Sequence, residues 1–238
     1  MKRKIDFIGV GVQKSATTWV YKCLTEHPDV SPAKRKEVHY FDFYYKKGEE
    51  WYHSFFDLND KICGEISPYY IFKPQCPELI FEYNPDIKLF VTLRHPTDRA
   101  VEQYQMEFNR GDTRLSFREA FYQDFRGIRK RGLYQEQLDR YKKFKHFKIF
   151  MYYELKENPE AFINTLYKHL GLSKFTPPSL FQTVMPVSYI NRANVYPDEI
   201  TEADKYYSEY YKVQKNKLFK CKEFIFKENR WIDEEEKD

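Results

Sequence analysis

The chain has 238 residues, 42% of them hydrophobic and 19% aromatic, which suffices for a buried core and points to a single domain over 1–232. Residues 233–238 (DEEEKD) hold five acids and one Lys, a tail of −4 that reads as disordered and leaves +8 on the rest of a chain whose net charge is +4. That mild excess suits an anionic ligand, whereas no run approaches the ~20 apolar residues of a membrane span.

Cys23, Cys63, Cys76 and Cys221 form neither a C-x-x-C pair nor a metal pattern with His, so they are expected as free thiols in a reducing compartment. The N-terminus, MKRKIDFIGV, runs straight into a strand, and its apolar run is too short for a signal peptide. The expectation is a cytoplasmic chain with no metal, no membrane and no nucleic-acid partner, its oligomeric state open.

In chain order, Phe7 to Cys23 (FIGVGVQKSATTWVYKC) reads as a buried strand, a polar loop and the start of a helix. Such a turn presents backbone N–H groups at a helix N-terminus, where the dipole favours an anion. Lys14 adds a full charge, and Ser15, Thr17 and Thr18 add hydroxyls. The helix is expected to end near His27, and Val30 to Lys36 reads as a basic turn. Tyr44 to Asn59 shows no clean period and is expected as short helices or loops. Lys61 to Glu65 is a short strand and Pro77 to Tyr83 a short helix.

Ile87 to Leu93 (IKLFVTL) is a second buried strand, followed by a helix from about Thr97 to Phe108. Ser116 with Glu119 three residues on is a capping box. Leu133 to Phe144 is amphipathic at helical spacing, and Phe147 to Tyr153 is a third strand. Asn158 caps a helix with Pro159 at its first position, which Gly171 closes. Lys174 to Pro197 is a long irregular segment of the kind that often carries function, and a last helix spans about Thr201 to Lys220. Apolar strands alternating with helices predict an α/β fold of three layers, a central parallel sheet flanked by helices. Ligands in such sheets bind at the carboxyl ends of the strands.

A nucleotide triphosphatase loop would read G-x-x-x-x-G-K-[ST]. Here Ile8 and Gln13 stand where its glycines belong, so a P-loop phosphotransferase, the first rival, is disfavoured. Instead QKSATTWVY resembles the 5′-phosphosulfate loop of sulfotransferases that use 3′-phosphoadenosine 5′-phosphosulfate, and LRHPTDRAVEQY resembles their 3′-phosphate strand-turn-helix. EVHYFD is similar to the catalytic segment of the heparan-sulfate-type branch, and GEISPYYIF to the substrate-side segment that follows.

The resemblance implies a P-loop NTPase-like sulfotransferase fold and sulfuryl transfer to a hydroxyl or amine of a carbohydrate or small metabolite. The product would be 3′-phosphoadenosine 5′-phosphate, and no metal is needed. It places Lys14, Ser15, Ala16, Thr17, Thr18 and Trp19 on the 5′ side of the donor, Arg94 and the Glu102 position at the 3′-phosphate, and Arg192 in a late loop over the cofactor. Lys14 would neutralise the leaving oxygen. Glu37 is the expected general base; His39, two residues on in an extended segment, orients the acceptor or is the alternative base. Asp42 and Ser67 complete the acceptor side with His39.

The chain also departs from the pattern. Ala16 stands where the family has Gly, Ile66 follows Glu65 where a Lys is usual, and Glu102 occupies the place of a phosphate-binding Ser. A carboxylate there repels a phosphate by about 1 kcal/mol even in a water-like dielectric. Either Glu102 turns away, or 3′-phosphate affinity, cofactor preference or activity is altered. A degenerate, non-catalytic nucleotide binder is therefore the second rival. Plainer readings stand beside these: a surface Lys14, an Arg94–Asp98 ion pair, an exposed Glu37 among Lys34, Arg35 and Lys36, a structural Arg99, and core rather than ligand-facing aromatics between Tyr40 and Phe56.

Overall fold

The computed structural model describes residues 3–58, 61–182 and 195–213. Its elements in chain order are β1 (Phe7–Gly11), α1 (Thr17–Thr25), β2 (Val30–Pro32), α2 (Gly48–His53), β3 (Ile62–Ile66), α3 (Cys76–Tyr83), β4 (Lys88–Leu93), α4 (Pro96–Asn109), α5 (Phe117–Tyr122), α6 (Tyr134–Asp139), β5 (Phe147–Met151), α7 (Tyr152–Glu157), α8 (Pro159–Leu170) and α9 (Pro197–Val213). They fall into two compact units, 3–93 with 137–182 and 94–136 with 195–213.

The first unit holds a five-stranded sheet of order β2-β3-β1-β4-β5 with every pairing parallel. Phe7 lies opposite Gly64 on one side and Lys88 on the other. β1 is buried throughout, as its apolar run predicts for a central strand. One face packs Phe7, Ile66, Phe90 and Phe150 against Trp19, Val20 and Leu24 of α1 and Phe162, Ile163 and Leu166 of α8. Ile8, Leu89 and Val91, which alternate with these, are equally buried, so both faces are covered. A Cβ at Gly64 would overlap the Phe7 carbonyl oxygen, so β3 can approach β1 this closely only with glycine there.

β2 corrects the reading of Val30 to Lys36 as a turn. Val30 pairs with Ile62 and Pro32 with Gly64, and a three-residue edge strand ending in proline leaves too short a pattern to read. The third strand stops at Met151 rather than Tyr153, because Glu154 accepts the Met151 N–H (3.0 Å) and opens α7. Asn158 caps α8 through the Ala161 N–H (3.0 Å), and Gly171 closes it at φ 82°. Cys23, Cys63 and Cys76 are free and buried; Cys221 and the 233–238 tail lie outside the described residues.

In the second unit, Ser116 and Glu119 form the capping box that starts α5. The Arg118 N–H donates to Glu199 of α9 (3.0 Å). The Tyr207 hydroxyl donates to the Arg129 carbonyl (2.8 Å), and its ring leaves no room for a Cβ at Gly132. The 126–131 run (RGIRKR) pairs Arg126 with Glu107 and Asp112 while burying Ile128. The last helix is described as far as Val213. Among the described residues no helix is long and apolar enough to cross a membrane, and no group of His, Cys, Asp and Glu is placed to hold a metal ion.

Candidate active site

The first unit assembles its site residues at the carboxyl edge of the sheet. After β1 the chain turns through Lys14 and Ala16, both left-handed at φ 73° and φ 58°, into α1. Alanine thus adopts the conformation usually reserved for glycine, at a strain of roughly 1 kcal/mol. Backbone kinks of this kind aim successive N–H groups into one concavity, a shape that binds anions. No side chain caps α1, whose first turn therefore presents its N–H groups and positive dipole end outward.

Ser15 is fully buried and its hydroxyl has no protein partner, which fits a ligand oxygen at that point. Thr17 is buried and Thr18 exposed. Trp19 contributes no side chain to this edge: its indole N–H donates to the Ser179 carbonyl (3.0 Å), and its ring packs edge-on to Phe162. Only its backbone N–H remains for a ligand.

The second group follows β2. Glu37 and His39 are expected on one side of an extended segment, but both are left-handed (φ 60° and 59°), and 40–44 then coil into a single π turn. The side chains meet all the same. His39 Nε2 lies 3.5 Å from Glu37 Oε2, and its Nδ1 lies 2.8 Å from Asp42 Oδ2. The Lys36 ammonium donates to the other Glu37 oxygen.

Burial alone would raise the Glu37 pKa, but the hydrogen bond with His39 and the Lys36 charge outweigh it and pull the value down to about 2. Burial alone would lower His39, but its hydrogen bonds to Asp42 and Glu37 lift it to about 9. At neutral pH the turn thus holds an imidazolium between two carboxylates. Asp42 has a fully buried side chain whose Oδ2 meets the His39 ring, while its Oδ1 has no protein partner.

Ser67, expected on the acceptor side, is also fully buried. Its hydroxyl donates to Glu65 Oε2 (2.6 Å) and accepts the His39 N–H (3.3 Å). Glu65 itself is a partner of this turn that the pattern hides. It is 1% exposed at the end of β3, and the Tyr52 and Tyr70 hydroxyls donate to its other oxygen at 2.8 and 2.9 Å. Burial raises its pKa against these hydrogen bonds. The available signal is a Glu inside the strand ICGEI, since a carboxylate is almost never fully buried without partners.

In the second unit, Arg94 stands between the end of β4 and the start of α4. Its guanidinium donates to Glu102 (3.1 Å), with side chains 13% and 7% exposed. Glu102 therefore turns toward Arg94, not away from it. Arg99 is fully buried, bonding Gln103 (2.8 Å) and the Ile128 carbonyl, and is a structural anchor. Arg192 lies outside the described residues.

The family model described as the sulfotransferase domain matches residues 4–192. The membrane-associated sulfotransferase kil1 of Dictyostelium discoideum is 36% identical over 104 residues, which cover 42% of this chain and 22% of that protein. Human heparan sulfate glucosamine 3-O-sulfotransferase 6 is 31% identical over 177 residues, 69% of this chain and 52% of that one. The chain thus spans about half the length of one curated relative and about a fifth of the other. Among solved structures, a sulfotransferase from Alicyclobacillus acidocaldarius superposes with a TM-score of 0.74 at 23% identity, covering 87% of this chain and 93% of that one. Mouse sulfotransferase SULT7A1 complexed with PAP gives 0.61 at 16% identity, covering 94% and 90%. These two similarities concern the fold, a parallel sheet flanked by helices. With the domain match running through the loop, the Glu37–His39 turn and Arg94, the chain belongs to the sulfotransferase family.

Proposed function

We propose that this chain transfers a sulfuryl group from 3′-phosphoadenosine 5′-phosphosulfate to a hydroxyl of a carbohydrate or small metabolite. The observation that carries this reading is the pairing, at one sheet edge, of an uncapped left-handed loop with a Glu–His–Asp turn. One binds an oxyanion and the other handles a proton. When bound, the donor supplies the sulfuryl group and departs as the bisphosphate.

Lys14 neutralises charge on the leaving oxygen, and Ser15, Thr17, Thr18 and the backbone N–H groups up to Trp19 hold the 5′-phosphate. Glu37, ionised at neutral pH and 39% exposed, takes the acceptor's proton. His39, protonated and held by Asp42, fixes the direction of that carboxylate. A carboxylate with a pKa of about 2 is a weak base, so the acceptor must displace the Lys36 ammonium to raise its basicity. The acceptor in the human relative's name, a heparan sulfate glucosamine, supports a sugar hydroxyl.

Calorimetric titration with 3′-phosphoadenosine 5′-phosphate, ATP and an oligonucleotide tests the reading. The bisphosphate is expected to bind; binding of ATP alone would sink the proposal in favour of a phosphotransferase. Glu37→Gln should retain the bisphosphate within twofold and lose kcat by about 10²-fold or more. Full activity in that variant would remove Glu37 from the base role.

A further inference from the structure

Three backbone amides of the turn that carries the proton-handling residues hang from one buried carboxylate. The Val38 N–H donates directly to Glu65 Oε2 (3.2 Å). The His39 N–H donates to the Ser67 hydroxyl (3.3 Å), which donates in turn to the same oxygen. The Phe41 N–H donates to the Tyr70 hydroxyl (3.4 Å), which donates to Glu65 Oε1. Between them, the Tyr40 ring stacks on Tyr52 at 4.3 Å and 9°, and the Tyr52 hydroxyl donates to Oε1 as well. Every residue from Val38 to Phe41 is therefore tied to Glu65 directly or through one side chain.

This anchoring solves a local problem. Left-handed backbone at Glu37 and His39 is unfavourable for L-residues and persists only where surrounding structure over-determines it. Glu65 supplies that constraint from a rigid base. It is the fourth residue of β3, paired in register with Ile8 of the central strand, and the Ser67 N–H donates to the Gly9 carbonyl (3.0 Å). A structural anchor with no bearing on chemistry would not need three amides of one strained turn.

We infer that Glu65 is a positioning residue for the transfer reaction: through Val38, Ser67 and Tyr70 it holds the turn on which Glu37 and His39 are aimed. This rests on the proposed function for its catalytic consequence, but the anchoring itself is measurable in the protein alone. The test compares Ser67→Ala, Tyr70→Phe and Glu65→Gln with Tyr83→Phe. The last loses a buried hydroxyl that accepts the Ile5 N–H and meets His53, bonds that involve neither Glu65 nor the amides of the turn, while its ring keeps its contact with Phe41.

Amide hydrogen exchange at Val38, His39 and Phe41 is expected to quicken about tenfold or more in the first three variants and to stay unchanged in Tyr83→Phe. With labelled donor and a panel of glycosides, kcat should fall tenfold or more in Ser67→Ala and Tyr70→Phe, with donor KM within twofold. If Glu65→Gln does not fold, the two milder variants still decide the matter. Unchanged exchange at 38–41 overturns the inference whatever the activity does, and so does quickened exchange with unaltered kcat. A parent chain that transfers no sulfate to any acceptor defeats the proposed function instead, and exchange then still decides whether Glu65 anchors the turn.

Discussion

At the start of α1 the groups proposed to meet a phosphate are donors: uncapped N–H groups and a buried Ser15 hydroxyl without a protein partner, after the kink that carries Lys14. At the start of α4 the cation proposed for the other phosphate already faces an acid, Glu102, at 3.1 Å in a largely dry setting. An anion arriving at the first region gains contacts. An anion arriving at the second must displace the Glu102 carboxylate from Arg94, leaving Glu102 desolvated beside a like charge. Two regions that read alike from sequence, each a strand running into a helix with a basic residue in the turn, thus differ in what binding costs.

Lys14→Ala should have the largest effect, lowering kcat by roughly 10²- to 10³-fold, since it removes the full charge opposite the developing oxyanion. Initial-rate kinetics with labelled donor would check it. A loss under tenfold would mean that the first region binds but does not assist departure of the leaving group.

Glu102→Ser sharpens the contrast from the other side. Affinity for 3′-phosphoadenosine 5′-phosphate should rise about tenfold, equivalent to 1.4 kcal/mol, with adenosine 5′-phosphate unaffected because it lacks the 3′ group. The same variant leaves a buried guanidinium without its carboxylate, so its melting temperature should fall in buffer and recover with the bisphosphate. Equal gains for both nucleotides, or none, would show that Arg94 does not meet the 3′-phosphate.

Much of this was legible in the residues. The run Phe7 to Cys23 announces its strand, loop and helix because a central parallel strand must be apolar on both faces and a helix must start where the period changes. Asn158, Pro159 and Gly171 mark both ends of α8 for equally local reasons. What stayed hidden depends on partners distant in the chain. β2 exists because β3 offers it a free edge, not because Val30–Pro32 favours a strand. The Glu102 side chain turns toward Arg94, eight residues earlier, a choice that spacing alone leaves open. Glu65 draws its donors from Val38, Tyr52, Ser67 and Tyr70, and no motif spans that set.

The Glu37–His39–Asp42 turn presents a third pairing of cation and acid, and its proton is the one that can be titrated. His39 rises from an ordinary 6.5 to about 9, so its protonated form and the stability it brings are fully present below 6.5 and are lost as pH climbs through 9. Glu37 runs the other way: lowered from 4.5 to about 2, its contribution is complete above 4.5 and disappears as pH falls through 2. Between 4.5 and 6.5 both interactions are therefore intact, and kcat should hold level toward neutrality and decline on an alkaline limb near 9. Asp42→Asn removes one of the two carboxylates that hold the imidazolium and should draw that limb down by about one unit. The loss at pH 7.5 is then only about 1.3-fold, the smallest effect of the three. The pH profile of kcat, read beside the His39 imidazole resonance, would distinguish the causes. A limb that stays near 9 while the imidazole titrates lower would assign the alkaline loss to another group and leave His39 with orientation alone.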